Sequence, residues 1–117
     1  MTLRVLAVLA GGLFLAGCGG GSSGASGGDK VVQIEDDGFH PQTLTIDAGD
    51  RVEFENTSSD DAWPASNVHP THLLYPGFDA KKPLLPGDSY SFTFTKTGSW
   101  GYHNHLVPDV QGTIVVK

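Results

Sequence analysis

Ser89-Tyr-Ser-Phe-Thr-Phe-Thr95 alternates without a break, with Tyr90, Phe92 and Phe94 on one side and hydroxyl side chains on the other. A period of two marks a β-strand, because successive side chains of an extended chain point to opposite faces. Arg51-Val-Glu-Phe-Glu-Asn56 repeats the pattern with Val52 and Phe54 inward. Working outward, Lys30–Asp36, Thr43–Asp47, Ser99–His103 and Gly112–Lys117 read as further strands. Ala48-Gly49-Asp50 and Pro86-Gly87-Asp88 are turn signals between them. No stretch carries a helical period of useful length. Short strands at regular spacing predict an all-β sandwich or barrel.

The pattern fails between Thr57 and Pro86. Pro64, Pro70, Pro76, Pro83 and Pro86 preclude regular structure over most of this segment. Trp63, His69, His72, Tyr75 and Phe78 make it too aromatic for disorder. A loop of this length in a small domain is usually functional.

Four of the five histidines form two tight pairs. His69-Pro-Thr-His72 lies in the long loop. His103-Asn-His105 lies at the end of a strand, before an irregular stretch that closes at Gly112. Alternation puts His103 and His105 on one face if the strand continues that far. The loop pair then supplies the other half of a metal site. Imidazole donors suit copper, zinc, nickel and iron, and Cu(II) binds most tightly at equal availability. His69, His72, His103 and His105 are therefore the candidate metal ligands. Copper is the expected ion, with zinc as the other candidate. His40 reads as a solvated turn residue, and Trp63 and Trp100 read as packing residues. The folded part is small and has no internal disulfide, so a bound metal would add needed stability.

Several functions find no support. There is no Gly-x-Ser-x-Gly stretch, and no glycine loop leads into a helix to cradle phosphate. Asp60-Asp61 reads as a solvated acid pair rather than a catalytic dyad.

Residues 1–17 carry one early cation, Arg4, and an apolar run from Val5 to Ala16. That run is short for a hydrocarbon core of about 30 Å and has the size of a signal-peptide apolar region. Leu15-Ala16-Gly17-Cys18 resembles a bacterial lipobox, which implies that Cys18, the only cysteine, is lipidated. Multiple acyl chains would anchor the protein to a membrane. The Gly/Ser composition of residues 19–29 predicts a flexible tether with ends about 15–20 Å apart. Gly19 leaves either membrane of a two-membrane envelope open. Loss of Arg4 leaves six basic residues against thirteen acidic ones, a formal charge of −7 with histidine neutral. Such a surface argues against nucleic acid and anionic lipid head groups as partners.

Gly38-Phe39-His40-Pro41, followed by Leu44 to Asn56, resembles the opening of small bacterial cupredoxins, the plastocyanin- and azurin-like copper proteins. Pro86–Phe94, Gly98–His103 and Gly112–Val116 resemble their closing strands. The resemblance covers most of residues 30–117. It implies a Greek-key β-sandwich with copper at one end. The family's blue-copper pattern is Tyr-His-Cys, then His and Met at intervals, then Gly. Tyr102, His103 and Gly112 match it. Asn104 stands in place of the thiolate ligand, and Val107 and Val110 in place of the later His and Met. The family's first histidine is replaced near Trp63. The chain resembles an atypical subgroup with an all-histidine arrangement, and a His-x-His step also occurs among multicopper oxidase ligands.

The sequence therefore predicts a copper-binding domain over residues 30–117, held outside the cytoplasm by lipidated Cys18. Its expected role is copper handling or electron transfer, with a redox or copper-donor protein as partner. Two other readings remain open: a copper-dependent redox enzyme with an open coordination position, and a metal-free interaction module.

Overall fold

A computed structural model describes residues 30–117. The proposed signal segment, Cys18 and the tether lie outside the described residues. Eight strands run in the order β1 (Lys30–Glu35), β2 (Gly38–His40), β3 (Thr43–Ile46), β4 (Arg51–Asn56), β5 (Pro64–Ser66), β6 (Ser89–Thr93), β7 (Gly98–Asn104) and β8 (Val107–Val116). They form two four-stranded sheets, β2-β1-β4-β6 and β3-β8-β7-β5. The chain crosses between sheets after β2, β3, β4, β5 and β6, while β1–β2 and β7–β8 are antiparallel neighbours. Two pairings are parallel, β1 with β4 and β3 with β8. The result is the expected all-β sandwich. Among the described residues no helix is long and apolar enough to cross a membrane.

The alternating residues meet in the core. Val32, Ile34, Val52, Phe54, Phe94, Tyr102, Ile114 and Val116 are all buried. The long segment after β4 adds a plug of its own. Phe78 is fully buried, and its ring lies 5.4 Å from Phe54, 4.9 Å from Phe94 and 5.4 Å from Tyr102. Tyr75 packs edge-on against Trp100 at 5.1 Å and accepts a hydrogen bond from the Thr95 amide. Trp100 is thus a packing residue, as its setting in the sequence suggested. Asn56 ties the base of the loop. Its amide donates to the carbonyls of Asp60 and Leu84, and its oxygen accepts from the Ser58 amide and hydroxyl. A buried amide with every group paired is a specific fastening, because an unpaired one would cost more than it contributes.

One local expectation holds with an exception and another is corrected. The long segment is not wholly irregular: Pro64–Ser66 forms a short edge strand on β7. Proline is tolerated there because the first residue of an edge strand need not donate to the ladder. The stretch between His105 and Gly112 is not irregular either. β8 begins at Val107, and Asn104 pairs with Val107, so β7 and β8 form one tight hairpin.

Phe78 carries the attachment of the loop to the core. Phe78→Ala is expected to destabilise the domain by about 3–5 kcal/mol, the usual cost of emptying a buried aromatic position. Equilibrium chemical denaturation of variant and parent measures it.

Candidate metal centre

The two histidine pairs reach one point because β5 lies on β7. Ala65 pairs with His103 and Pro64 with Asn104. Beyond this short ladder the backbone bonding continues: the Asn67 amide donates to the Gly101 carbonyl, and the His105 amide donates to the Trp63 carbonyl. Leaving β5, the chain makes a compact turn whose ends are fastened together. The His72 amide donates to the Val68 carbonyl, and the Leu74 amide to the Asn67 carbonyl. His72 has a φ of 58°, in the left-handed region that side chains rarely adopt. Such a conformation costs about 1–3 kcal/mol and persists only where the surroundings enforce it.

One nitrogen from each of His69, His72, His103 and His105 lies within 4.8 Å of the others. His69 Nδ1 is 3.2 Å from His103 Nε2, and His105 Nδ1 is 3.2 Å from His72 Nε2. Four nitrogens at about 2.0 Å around a tetrahedral ion are about 3.3 Å apart. The cluster is therefore near the size a four-nitrogen ion needs, and the donor set fits copper or zinc. Among the described residues there is no cysteine to make it a thiolate site. β7 ends at Asn104, so His105 sits in the turn rather than on the strand, yet it still joins His103. A pocket of about 410 Å³, lined by Asn67, Val68, His69 and His103 among others, opens beside the cluster.

Behind the rings stands a second layer that the sequence did not reveal. His103 Nδ1 donates to Asn67 Oδ1 at 2.7 Å, and His72 Nδ1 to Asp79 Oδ2 at 3.2 Å. These bonds leave Nε2 of both buried rings as a lone-pair donor toward the cluster. Asn67 is itself held close: a Cβ on Gly101 would come within 2.8 Å of its side-chain nitrogen. Trp63, expected to be a packing residue, packs against the histidine cluster itself. Its ring lies 4.5 Å from that of His105, and its Nε1 donates to Asp79 Oδ1 at 2.7 Å. A Trp followed by an Asp sixteen residues on carries no local pattern, so only the fold exposes their contact.

Asn104, at the position of the family's thiolate, serves the backbone instead. Its Oδ1 accepts from the amides of Trp63 at 2.9 Å and Leu106 at 3.0 Å, stitching the loop to the hairpin turn. Val110 packs against the core from β8, and Val107 is exposed at the start of that strand. His40 stands apart, exposed and within 2.6 Å of Asp37 Oδ1, as a solvated residue should.

The electrostatics follow from the crowding. Burial, and then the neighbouring His72, His69 and His105, push His103 down to about 4. Burial and the adjacent His72 and His69 lower His105 as well. Burial alone would raise the Asp79 carboxyl, but hydrogen bonds from Trp63, Lys81 and His72 outweigh it and hold it below its ordinary value.

The residues match the sequence profile of the Cupredoxin-like domain over positions 6–116, and the chain belongs to that family. No curated protein matches it by sequence. Among solved structures, a purple cupredoxin from Nitrosopumilus maritimus is similar at 20% identity and a TM-score of 0.62, over 75% of this chain and 99% of that one. A reduced tryptophan-to-tyrosine mutant of amicyanin is similar at 23% identity and a TM-score of 0.67, over 80% and 87%. A Cu(I) form of a methionine-to-alanine amicyanin mutant gives 24% identity and a TM-score of 0.65, over 80% and 85%. At these identities the likeness is one of fold.

The low value at His103 makes the metal-free protein sensitive to acid. The unfolded chain takes up a proton at this ring near its ordinary 6.5, whereas the folded protein resists until about 4. Stability is therefore expected to fall as pH drops through that window, with no further loss from this group below it. Thermal melts of the metal-free chain across the window check the sign.

Proposed function

We propose that this protein is an envelope-tethered copper-binding cupredoxin whose centre is made of histidine alone and lacks the blue colour of thiolate sites. The observation that carries the reading is the convergence of four imidazole nitrogens within 4.8 Å, two of them backed by side-chain acceptors. His69, His72, His103 and His105 would hold the ion. Copper bound there would supply a one-electron couple or a stored divalent ion, and copper handling or electron transfer is the role in view. Zinc is the alternative ion for the same donors. The segments that carry the histidines also expose apolar side chains: Val68, Leu73 and Leu74 on the loop, Leu106 and Val107 at the hairpin. An apolar rim of this kind supports docking of a redox or copper-donor protein.

Copper titration of the purified full chain, followed by electron paramagnetic resonance and bound-metal analysis, tests the reading. One tight equivalent with a nitrogen-rich spectrum free of intense visible absorption is expected. The variant His103→Ala with His105→Ala should lose it. At free copper 100 times the dissociation constant, the ion should also stabilise the fold by about 2.7 kcal/mol. Tight binding that survives the double variant would sink the assignment.

The tether rests on Leu15-Ala16-Gly17-Cys18 and the Gly/Ser stretch that follows. In a bacterial host the chain should incorporate labelled palmitate and sediment with membranes. Cys18→Ser should abolish both, and a soluble, unlabelled parent protein would refute the anchor.

A further inference from the structure

We infer that Asp79 is the residue that tunes the four-histidine centre toward a divalent ion and away from Cu(I). The inference rests on the copper-binding reading above and adds an oxidation-state preference to it.

Among the described residues, Asp79 is the only carboxylate bonded to any of the four rings. Its position is fixed from several sides. Oδ1 accepts from Trp63 Nε1 at 2.7 Å and from the Lys81 amide at 2.8 Å. Its own amide donates to the Tyr90 hydroxyl. Oδ2 is left for His72 Nδ1, and the His72 side chain is only 7% exposed. The loop does not need that last contact for its own fastening, because Trp63 and Lys81 already occupy the other oxygen.

The site contains an internal comparison. His103 is backed by the neutral amide of Asn67, whereas His72 is backed by a carboxylate. Both acceptors orient a ring and direct Nε2 to the cluster. Only Asp79 adds a negative charge, which makes His72 a stronger donor. The attraction of that charge for an ion scales with the charge of the ion, so a divalent ion gains about twice what a monovalent one does. The donor set acts in the same direction. No sulfur ligand is present among the described residues, since the chain's one cysteine and one methionine are Cys18 and Met1. Soft sulfur donors are what select Cu(I).

Competition titrations of the full chain, with chelators of known affinity for Cu(II) and for Cu(I), test the inference. Asp79→Asn keeps the size of the side chain and, with its oxygen toward Trp63 and Lys81, turns an amide nitrogen to His72 Nδ1, so it removes both the charge and the acceptor. It is expected to weaken Cu(II) by about 10–100-fold, the usual effect of losing such a partner. Cu(I) should weaken by a smaller factor, so the couple moves to higher potential. Asp109→Asn removes an equal charge beside the pocket without a bond to any ring, and should change the Cu(II)/Cu(I) ratio less. Equal losses for both ions in Asp79→Asn, or no loss, would overturn the inference and leave the metal site standing. A parent chain that binds neither ion would overturn both. If Asp79→Asn does not fold, nitrogen-15 spectra of the zinc-loaded parent decide. A slowly exchanging His72 Nδ1 proton with coordination through Nε2 supports the role of Asp79, and coordination through His72 Nδ1 excludes it.

Discussion

The site depends on the pairing of β5 with β7. Only three residue pairs make the ladder, yet it sets the histidines of the long loop against those of the hairpin. The pairing is extended by bonds outside it, from the Trp63 amide to Asn104 Oδ1 and from the His105 amide to the Trp63 carbonyl. β7 itself is anchored by Tyr102, which is buried in the aromatic core with Phe54 and Phe78. Rigidity therefore passes outward in a definite order. The core fixes β7, β7 fixes β5, and β5 fixes the start of the turn that carries His69 and His72. Phe78 closes the circuit by returning the far end of that loop to the core.

Four imidazoles in so small a volume create an electrostatic problem with two solutions. A proton on any ring faces three neighbours, and burial of His103 removes the water that would screen it. One solution is for the rings to bond to one another, as in the pairs of His69 with His103 and His72 with His105. The other is a cation held among the lone pairs. Burial, which keeps a proton off His103, and the Nδ1–H tautomers held by Asn67 and Asp79 together ready the nitrogens for an ion. Asp79 and Asn67 each orient one ring, so that Nε2 of His72 and of His103 faces the cluster.

Much of this was legible in the sequence. Strict alternation in Arg51–Asn56 and Ser89–Thr95 located strands and core, since period two has no helical competitor there. The spacing of the histidine pairs pointed to the cluster that the fold assembles. The rest was hidden for physical reasons. Pro64–Ser66 is too short and too proline-led to show a period, so the strand that assembles the site was invisible. Asp79, Asn67 and Trp63 are ordinary loop residues until the fold gives them partners. The β7–β8 hairpin was obscured because Pro108 and the polar residues around it mimic a loop, whereas on an exposed strand such residues cost little.

Asn104 shows how far the chain departs from a thiolate centre. Restoring a cysteine there would remove the oxygen that holds the Trp63 and Leu106 amides, loosening the contact that aligns loop and hairpin. It would also leave the remaining donors of such a centre missing. Val107 and Val110 lie on β8, where Val107 pairs with Asn104 and Val110 packs on the core. The segment that would serve as a ligand loop is taken up as a strand. The histidines of the long loop between β4 and β6 stand beside the hairpin instead, with Asp79 behind His72. The departure is thus distributed over both loops, and no single substitution reverses it.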